Sequence, residues 1–246
     1  MSRRVVVGFS GGVTSAWCAG WALRNFPKAE VILLWHDTKE EDPDTYRFLV
    51  EMANALEHEI TERSDGRSVT ELCYDENMLP SNLAPFCSRK LKVEQHEKFV
   101  TELKSQDVDE IICVYGFSAN EEPRVQRKTA MGWTMGYTCR FPLIEESVSK
   151  QDCANWCTCV MGVQVPDMYA WSDHANCVGC VRGGKAYWLA VQDNRPDVFE
   201  QRVALEQEFG HTFNRRYSLA EIAGEGLLRV VNRRESIEIG ACECGD

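Results

Sequence analysis

The chain has 246 residues, of which 44% are hydrophobic, and a formal net charge of −11 from 27 basic and 38 acidic side chains. This length and apolar content allow a sizeable core, and the acidic balance disfavours a protein that coats nucleic acid non-specifically, while leaving room for a local basic groove. No apolar run of about 18 residues occurs and no signal-peptide core precedes the first predicted strand, so we expect a cytoplasmic protein without a membrane segment.

The first predicted elements are a strand, a glycine loop and a helix. Residues 5–9 are an apolar, β-branched run, Ser10-Gly11-Gly12-Val13-Thr14-Ser15 follows, and residues 16–23 are rich in alanine and tryptophan. Glycines let the backbone approach a phosphate, and the helix N-terminus and three hydroxyl groups would donate hydrogen bonds to it. The lysine of the GxxxxGK(S/T) motif is missing. The loop therefore predicts a phosphate site of another class, with an ordinary strand-to-helix turn as the alternative.

A second apolar strand is predicted over residues 31–36, and it ends at Asp37 and Thr38. Ligands of open α/β sheets bind beyond the C-terminal ends of the strands, so both side chains are candidates for a binding site. Acidic residues and Pro43 then begin an amphipathic helix, and a third strand is predicted near residues 59–62. The alternation of strands and helices predicts a parallel, doubly wound sheet.

The next candidate site lies beyond a stretch, residues 66–85, in which the periodicity fades. The segment Phe86-Cys87-Ser88-Arg89-Lys90-Leu91-Lys92 stands at the start of another predicted helix. Three cations next to one cysteine at the mouth of a helix would lower the pKa of the thiol or attract an anionic ligand. A solvated basic helix start is the alternative.

A further buried strand is predicted over residues 109–116, and polar residues follow it up to residue 128. Arg124 and Arg127 stand just past the strand end, where their guanidinium groups can meet phosphate or sulfate oxygens. Ordinary solvated charge is the alternative for this segment as well.

A CxxC motif marks the C-terminal half. Twelve cysteines in a chain expected in a reducing compartment indicate thiols rather than a disulfide framework. Cys177 and Cys180 lie in a glycine-rich loop at the spacing with which two thiolates bind zinc or an iron–sulfur cluster. A redox dithiol or coincidence is the alternative. Helices are predicted near residues 186–191 and over 196–209, and the tail contains two more cysteines.

Four of these stretches, in this order, resemble the phosphoadenylyl-sulfate (PAPS) reductase-like branch of the pyrophosphate-loop (PP-loop) ATP pyrophosphatase superfamily. Residues 10–15 are similar to its SGGxxS loop, residues 36–38 and 43–46 to its DT and PET motifs, residues 86–92 to its cysteine and Arg/Lys segment, and residues 116–124 to its G-x-x-x-x-E-x-x-R. The match spans residues 5–185.

The resemblance implies a Rossmann-like, parallel five-stranded sheet of the adenine nucleotide alpha hydrolase-like type, with the nucleotide at its C-terminal edge. We accordingly expect a nucleotide-binding domain over residues 1–185 and a mostly helical C-terminal extension with a cysteine-containing tail over residues 186–246.

The resemblance also implies a set of site residues. The residues that would bind ATP, adenylyl sulfate or PAPS, together with Mg²⁺, are Ser10, Gly11, Gly12, Thr14, Ser15, Asp37, Thr38 and Gly116. The residues that would act on an anionic substrate are Arg89, Lys92, Arg124 and, in the tail, Cys244. The ligands implied for a 4Fe-4S iron–sulfur cluster, or alternatively for zinc, are Cys87, Cys177 and Cys180.

The sequence departs from the family pattern at three places. Val13 and Thr14 stand where many family loops carry Lys-Asp, two charges that help to hold metal-bound ATP. Cys87 stands alone where cluster-binding adenylyl-sulfate reductases have a cysteine pair, which leaves three thiolates, as in iron–sulfur PP-loop thiolases. Glu243-Cys244-Gly245 matches only the first three residues of the reductases' mobile tail, whose cysteine attacks sulfur.

Three functions follow from the resemblance. The first is adenylation of a substrate with release of pyrophosphate, followed by sulfur transfer. The second is reduction of PAPS or adenylyl sulfate to sulfite, with Cys244 as nucleophile and a thiol reductant as partner. The third is a non-catalytic nucleotide-binding module of a larger assembly. The expected partners are an adenine nucleotide, an anionic or nucleobase-containing substrate, and further copies of the chain in a homo-oligomer.

Overall fold

The centre of the protein is a five-stranded sheet in which all strands are parallel, as a computed structural model describing residues 2–175 and 177–223 shows. The order across the sheet is β3-β2-β1-β4-β5. The strands are β1 (Arg3–Gly8), β2 (Glu30–Asp37), β3 (Ile60–Ser64), β4 (Glu110–Val114) and β5 (Thr138–Arg140). The predicted parallel five-stranded α/β sheet is therefore confirmed.

Helices cover both faces of the sheet and form the part of the chain that follows it. Their bounds are α1 (Val13–Asn25), α2 (Pro43–Ala55), α3 (Val69–Glu76), α4 (Phe86–Ser88), α5 (Glu94–Lys104), α6 (Glu122–Met135), α7 (Pro142–Glu145), α8 (Lys150–Asn155), α9 (Lys185–Asn194), α10 (Pro196–Phe209) and α11 (Leu219–Ile222). A π-helical turn, Arg89–Val93, joins α4 to α5. None of the helices in the described ranges is both long and apolar enough to span a bilayer.

Alternating side chains of the central strands build two separate cores. Val5 and Val7 of β1 belong to a cluster beneath α1 and α2, whereas Val6 belongs to a cluster with Phe99 of α5 on the opposite face. Strands buried on both faces read as continuous apolar runs, because successive residues point to opposite sides. This explains why the strands are visible in the sequence.

The strand order places a crevice at the C-terminal edge of the sheet. From β1 the chain builds outward through β2 to β3, and then returns to the other side of β1 to add β4 and β5. The connections that leave β1 and β4 therefore run to opposite faces of the sheet. Such a reversal point is where ligands bind in open α/β sheets.

Helix α3 lies within the stretch, residues 66–85, in which the sequence shows no clear periodicity. Its N-terminus has a capping box, in which Ser68 accepts a hydrogen bond from the backbone N–H of Glu71 and the Glu71 carboxylate accepts one from the N–H of Ser68. Val69, Leu72 and Cys73 face the core. The helix has only eight residues, so its apolar face is too short to stand out as a period.

A third apolar cluster joins the C-terminal helices to the rest of the chain. Trp188 of α9 stacks on Phe213 with ring centroids 6.0 Å apart, and both pack in one cluster with Leu72 of α3 and Leu91 of the π-helical turn. Val178 of the CxxC loop belongs to the same cluster. The helices after residue 185 are thus held against the sheet domain by shared apolar burial.

Candidate functional site

The glycine loop between β1 and α1 has a shape that its residue types enforce. Gly11 has φ +79°, and a Cβ there would collide with Cγ2 of Thr45. The Ser15 hydroxyl donates to the carbonyl oxygen of Gly12 at 2.8 Å and accepts from the N–H of Ser10 at 3.1 Å. Glycine at position 11 and serine at position 15 therefore fix how the loop enters the helix.

The end of β4 approaches this loop closely through Gly116. A Cβ on Gly116 would lie 2.9 Å from both the carbonyl carbon and the oxygen of Thr14. Only glycine lets the segment after β4 lie this near to the first turn of α1. Gly116 thereby sets the width of the crevice at the point where the strand order reverses.

A cavity of about 750 Å³ lies at this crevice, and we call it the loop cavity. On the loop side it is lined by Ser10, Gly12, Thr14, Ser15 and Gly116. The opposite wall and rim include Glu41 and a set of aromatic and basic side chains, namely His36, Lys92, His96, Tyr115, Phe117, Arg124, Lys128 and Lys150. The glycine loop is therefore open to a space large enough for a small ligand.

Tyr169 occupies one of the hydrogen-bond donors at the start of α1. The N–H of Val13 donates to the Tyr169 hydroxyl at 3.2 Å, and a Cβ on Gly12 would lie 3.1 Å from the same oxygen. The first N–H groups of a helix have no partner within the helix. The phenol satisfies one of them and forms part of the cavity wall.

A second cavity, of about 560 Å³, contains the three cysteines implied by the resemblance, and we call it the thiol cavity. Cys87, Cys177 and Cys180 all line it, although Cys87 is 90 or more positions away in sequence. Tyr187 holds the CxxC loop, since its hydroxyl donates to the carbonyl oxygen of Cys177 and accepts from the N–H groups of Gly179 and Cys180.

The two cavities adjoin each other. Five residues line both of them: Ser88, Lys92, Glu121, Arg124 and His174. Two of these are cations that the sequence singles out, Lys92 from the π-helical turn and Arg124 from α6. Arg124 pairs with Glu121 and lies over the ring of Phe117, with its guanidinium carbon 4.2 Å from the ring centroid. Lys92 and Arg124 therefore lie where the two cavities meet.

A buried polar network links the end of β2 to this junction. Oε1 of Glu41 accepts hydrogen bonds from the Thr38 hydroxyl at 3.1 Å and from the Lys92 ammonium at 3.2 Å, and the Cys177 thiol lies 3.5 Å away. Glu41 is only 8% exposed. Burial lowers the pKa of Lys92, but the adjacent Cys177 and Glu41 outweigh it and leave the pKa above its usual value. Lys92 is therefore a permanent cation.

The Cys87 and Cys177 thiols are protonated at neutral pH. Burial, reinforced by Cys180, raises the pKa of Cys87 to about 11, and Lys92 only partly opposes it. Burial and Glu41 raise the pKa of Cys177 to about 12. The expectation that nearby cations lower the pKa of Cys87 is therefore wrong, because desolvation outweighs their attraction. Among residues 2–175 and 177–223, no three His, Cys, Asp or Glu side chains converge as a metal site.

Several residues implied by the resemblance lie outside the two cavities. Arg89 is exposed and pairs with Glu94 and Glu97, each at 3.3 Å. Asp37 accepts hydrogen bonds from the N–H of Lys39 and from the Tyr46 hydroxyl, and it lines neither cavity.

The remaining implied residues differ in position. Gly11 shapes the glycine loop without lining a cavity. Thr38 lines the thiol cavity rather than the loop cavity. Cys244 lies outside the described residues.

The residues of the loop cavity to which the sequence analysis gave no role include Glu41, His36, His96 and Lys128. Burial, with help from Lys92 and Lys128, lowers the pKa of His36 to about 4, and burial with Lys128 and His36 lowers that of His96 to about 3. Both imidazoles are therefore neutral at physiological pH. The inward spacing of His96 with Phe99 in α5 is the sequence signal that could have found His96.

Fold and site together define a parallel α/β protein with a glycine loop and two adjoining cavities at the C-terminal edge of its sheet. Compared with known proteins, the chain matches no protein-family model, and no curated protein is significantly similar to it.

Proposed function

We propose that this protein is a PP-loop enzyme of the PAPS reductase-like type, which binds ATP in the loop cavity and adenylates a substrate held in the thiol cavity, as the first step of a sulfur transfer. The observation that carries the proposal is the shared wall of the two cavities. It puts Lys92 and Arg124 within reach of both a nucleotide at the glycine loop and a substrate beside the thiols.

In the first step, a nucleophilic oxygen of the substrate attacks the α-phosphorus of ATP, and the bond to the pyrophosphate group breaks. Negative charge develops on the departing pyrophosphate. Backbone N–H groups at the start of α1 and the hydroxyls of Ser10 and Thr14 would stabilise that charge, because they are fixed before the reaction begins. Mg²⁺ would enter as the ATP complex and neutralise phosphate charge.

The cations at the junction, Lys92 and Arg124, would act on the side of the α-phosphate that faces away from the glycine loop. Lys92 is held by Glu41, and Arg124 by Glu121 and the ring of Phe117. Both would draw the anionic substrate and the α-phosphate together, which converts the encounter into a reaction between positioned groups. A sulfur nucleophile then displaces AMP from the activated substrate. This second step needs no oxidant or reductant when sulfur arrives at the level of sulfide.

Cys87, Cys177 and Cys180 are the residues that we propose would bind a metal ion or an iron–sulfur cluster. Three soft sulfur donors suit zinc or a cluster with one open iron. Because no metal-binding group is preformed in the described ranges, no step is derived through a cluster. Iron, zinc and acid-labile sulfide in anaerobically purified protein test this part separately.

The test of adenylation is ATP binding together with release of pyrophosphate in the presence of candidate anionic acceptors. Arg124→Gln should lower the rate of pyrophosphate release at least tenfold, whereas Arg127→Gln should leave it within twofold. Arg127 belongs to the same helix but lines neither cavity, so it is a matched control.

The outcomes of the test separate the candidate functions. Tight ATP binding without turnover would favour a non-catalytic module. Release of sulfite from adenylyl sulfate or PAPS with a thiol reductant, abolished by Cys244→Ser, would favour a reductase.

A further inference from the structure

One oxygen of the buried Glu41 carboxylate lacks a partner. Oε1 accepts from Thr38 and Lys92, but Oε2 is buried and has no hydrogen bond within the described part of the chain. Glu41 is more than nine-tenths buried and lines the loop cavity. A buried acceptor left unpaired is costly, so such a group calls for a ligand.

A second unpartnered atom lies at the same strand end. Nε2 of His36, the penultimate residue of β2, is buried without a hydrogen-bond partner among residues 2–175 and 177–223, and His36 lines the loop cavity as well. The glycine loop lines the other side of the same cavity. The cavity thus has the glycine loop on one side and, at or just beyond the end of β2, the two residues that carry these unsatisfied atoms.

The geometry points to Glu41 as the residue that recognises the ribose of the bound nucleotide, with Oε2 accepting hydrogen bonds from the 2′- and 3′-hydroxyl groups. This inference rests on the proposed function, in which the phosphates occupy the glycine loop. In doubly wound sheets an acidic side chain after the second strand binds the ribose hydroxyls of a nucleotide whose phosphates lie at the first glycine turn. Glu41 follows β2 by four residues.

Two features of the donor set disfavour a divalent cation at the same oxygen. The Lys92 ammonium lies 3.2 Å from Oε1 of the same carboxylate, so a second positive charge would be repelled. The other groups that contact this carboxylate, at Oε1, are the Thr38 hydroxyl and the Cys177 thiol rather than further carboxylates. A neutral hydroxyl donor is the better match for this oxygen.

A ribose contact by Glu41 would also determine which nucleotides the cavity prefers. A 3′-phosphate, as in PAPS, would bring negative charge against the Glu41 carboxylate and remove one of the two hydroxyl donors. Glu41 therefore favours nucleotides with both hydroxyls unmodified, such as ATP or adenylyl sulfate. The sequence motif had suggested Asp37 for this region, but Asp37 is bonded to Tyr46 and lies outside the cavity.

The test is calorimetric binding of ATP, 2′-deoxy-ATP, 3′-deoxy-ATP, adenosine 5′-phosphate and adenosine 3′,5′-bisphosphate to the full chain. We expect loss of either hydroxyl to weaken binding to the wild-type protein at least tenfold, since a hydrogen bond to a charged group is lost. The bisphosphate should bind more weakly than adenosine 5′-phosphate. In Glu41→Gln the penalty for a missing hydroxyl should fall below threefold, whereas Asp37→Asn, the matched control, should keep it.

The outcomes separate this inference from the function on which it rests. If ATP binds but the deoxy nucleotides bind equally well to the wild-type protein, the role of Glu41 is refuted while the nucleotide site stands. The role of Glu41 is also refuted if Asp37→Asn, and not Glu41→Gln, abolishes the preference for ATP over the deoxy nucleotides. If no adenine nucleotide binds, both fall together. The wild-type series does not depend on the folding of any variant.

Discussion

Removal of the Lys92 charge tests how much the ion pair between Lys92 and Glu41, at the junction of the two cavities, contributes to stability. Lys92 donates to Glu41, whose side chain is 2% exposed, whereas the Lys92 side chain is 36% exposed where it borders the cavities. In Lys92→Met the Glu41 carboxylate would keep the Thr38 hydroxyl and the Cys177 thiol as neighbours and lose the Lys92 ammonium. We expect a clear loss of stability.

The magnitude follows from the burial of the two partners. Breaking a fully buried ion pair costs about 3–5 kcal/mol, because the remaining charge is left uncompensated. Water that enters the cavities screens the Lys92 side, so we expect a cost of about 2 kcal/mol. For a chain of this length that corresponds to a fall in melting temperature of about 4–8 °C.

Urea and thermal unfolding of the nucleotide-free protein measure this loss. Arg89→Met is the matched control, since Arg89 belongs to the same segment but its ion pairs with Glu94 and Glu97 are solvent-exposed. We expect the control to cost less than about 1 kcal/mol. In the double variant Lys92→Met with Glu41→Gln, the cost should be about 1–2 kcal/mol below the sum of the single costs.

The reasoning would be refuted by either of two results. Equal destabilisation by Lys92→Met and Arg89→Met would mean that burial of Glu41 does not set the cost. Additive costs in the double variant would mean that the two side chains do not interact in the folded protein.

Three further predictions address the loop, the thiols and the cavity wall. Gly11→Ala should destabilise the protein by at least about 1–2 kcal/mol more than Gly66→Ala. Both glycines have positive φ, but only at Gly11 would the added Cβ meet Thr45. Equal free energies of unfolding for the two variants would refute the close packing of Thr45 against Gly11. Cys87, with a pKa of about 11, should react with iodoacetamide at pH 8 about two orders of magnitude more slowly than a free cysteine, as measured by peptide mass spectrometry, and a fast reaction would contradict its burial. In the folded state the pKa of His96 is about 3, so its imidazole stays neutral at pH values well below 6.5. The stability that the neutral imidazole contributes is therefore present above pH 6.5 and is lost as pH falls. The loss should be about 3 kcal/mol between pH 6.5 and 4. His96→Gln should flatten that acid limb of the unfolding curve, and an unchanged slope would rule out this assignment.

The sheet could be predicted because its strands are buried on both faces. The predicted strands at residues 5–9, 31–36 and 109–116 overlap β1, β2 and β4, and the predicted helix over 196–209 coincides with α10. Strand β5 has only three residues and two of them are partly exposed, so no apolar run marks it. Its presence was implied only by the resemblance.

Sequence motifs indicated the segments that form the two cavities. They did not indicate which side chains enter a cavity where a turn sets their direction. The glycine loop lines the loop cavity and the CxxC lines the thiol cavity. The acidic run at residues 40–42, in contrast, predicts only the start of a helix. It follows Lys39, which has a left-handed backbone conformation with a φ of 58°.

The three acidic side chains at residues 40–42 make different contacts. Glu40 pairs with the buried Arg202 of α10, Glu41 binds Lys92, and Asp42 caps α2 by accepting from the N–H of Asp44. Only the left-handed turn before them and the helix packed against them determine which acid enters the cavity. Neither is visible in the residue types alone.

The contact between Tyr169 and Val13 joins positions 156 residues apart. During synthesis, the first helix of this chain leaves the ribosome long before the phenol that completes its N-terminus exists. Contacts this remote in sequence are late to form, because a long loop must close first. The glycine turn thus takes its finished form only after Tyr169 has been translated.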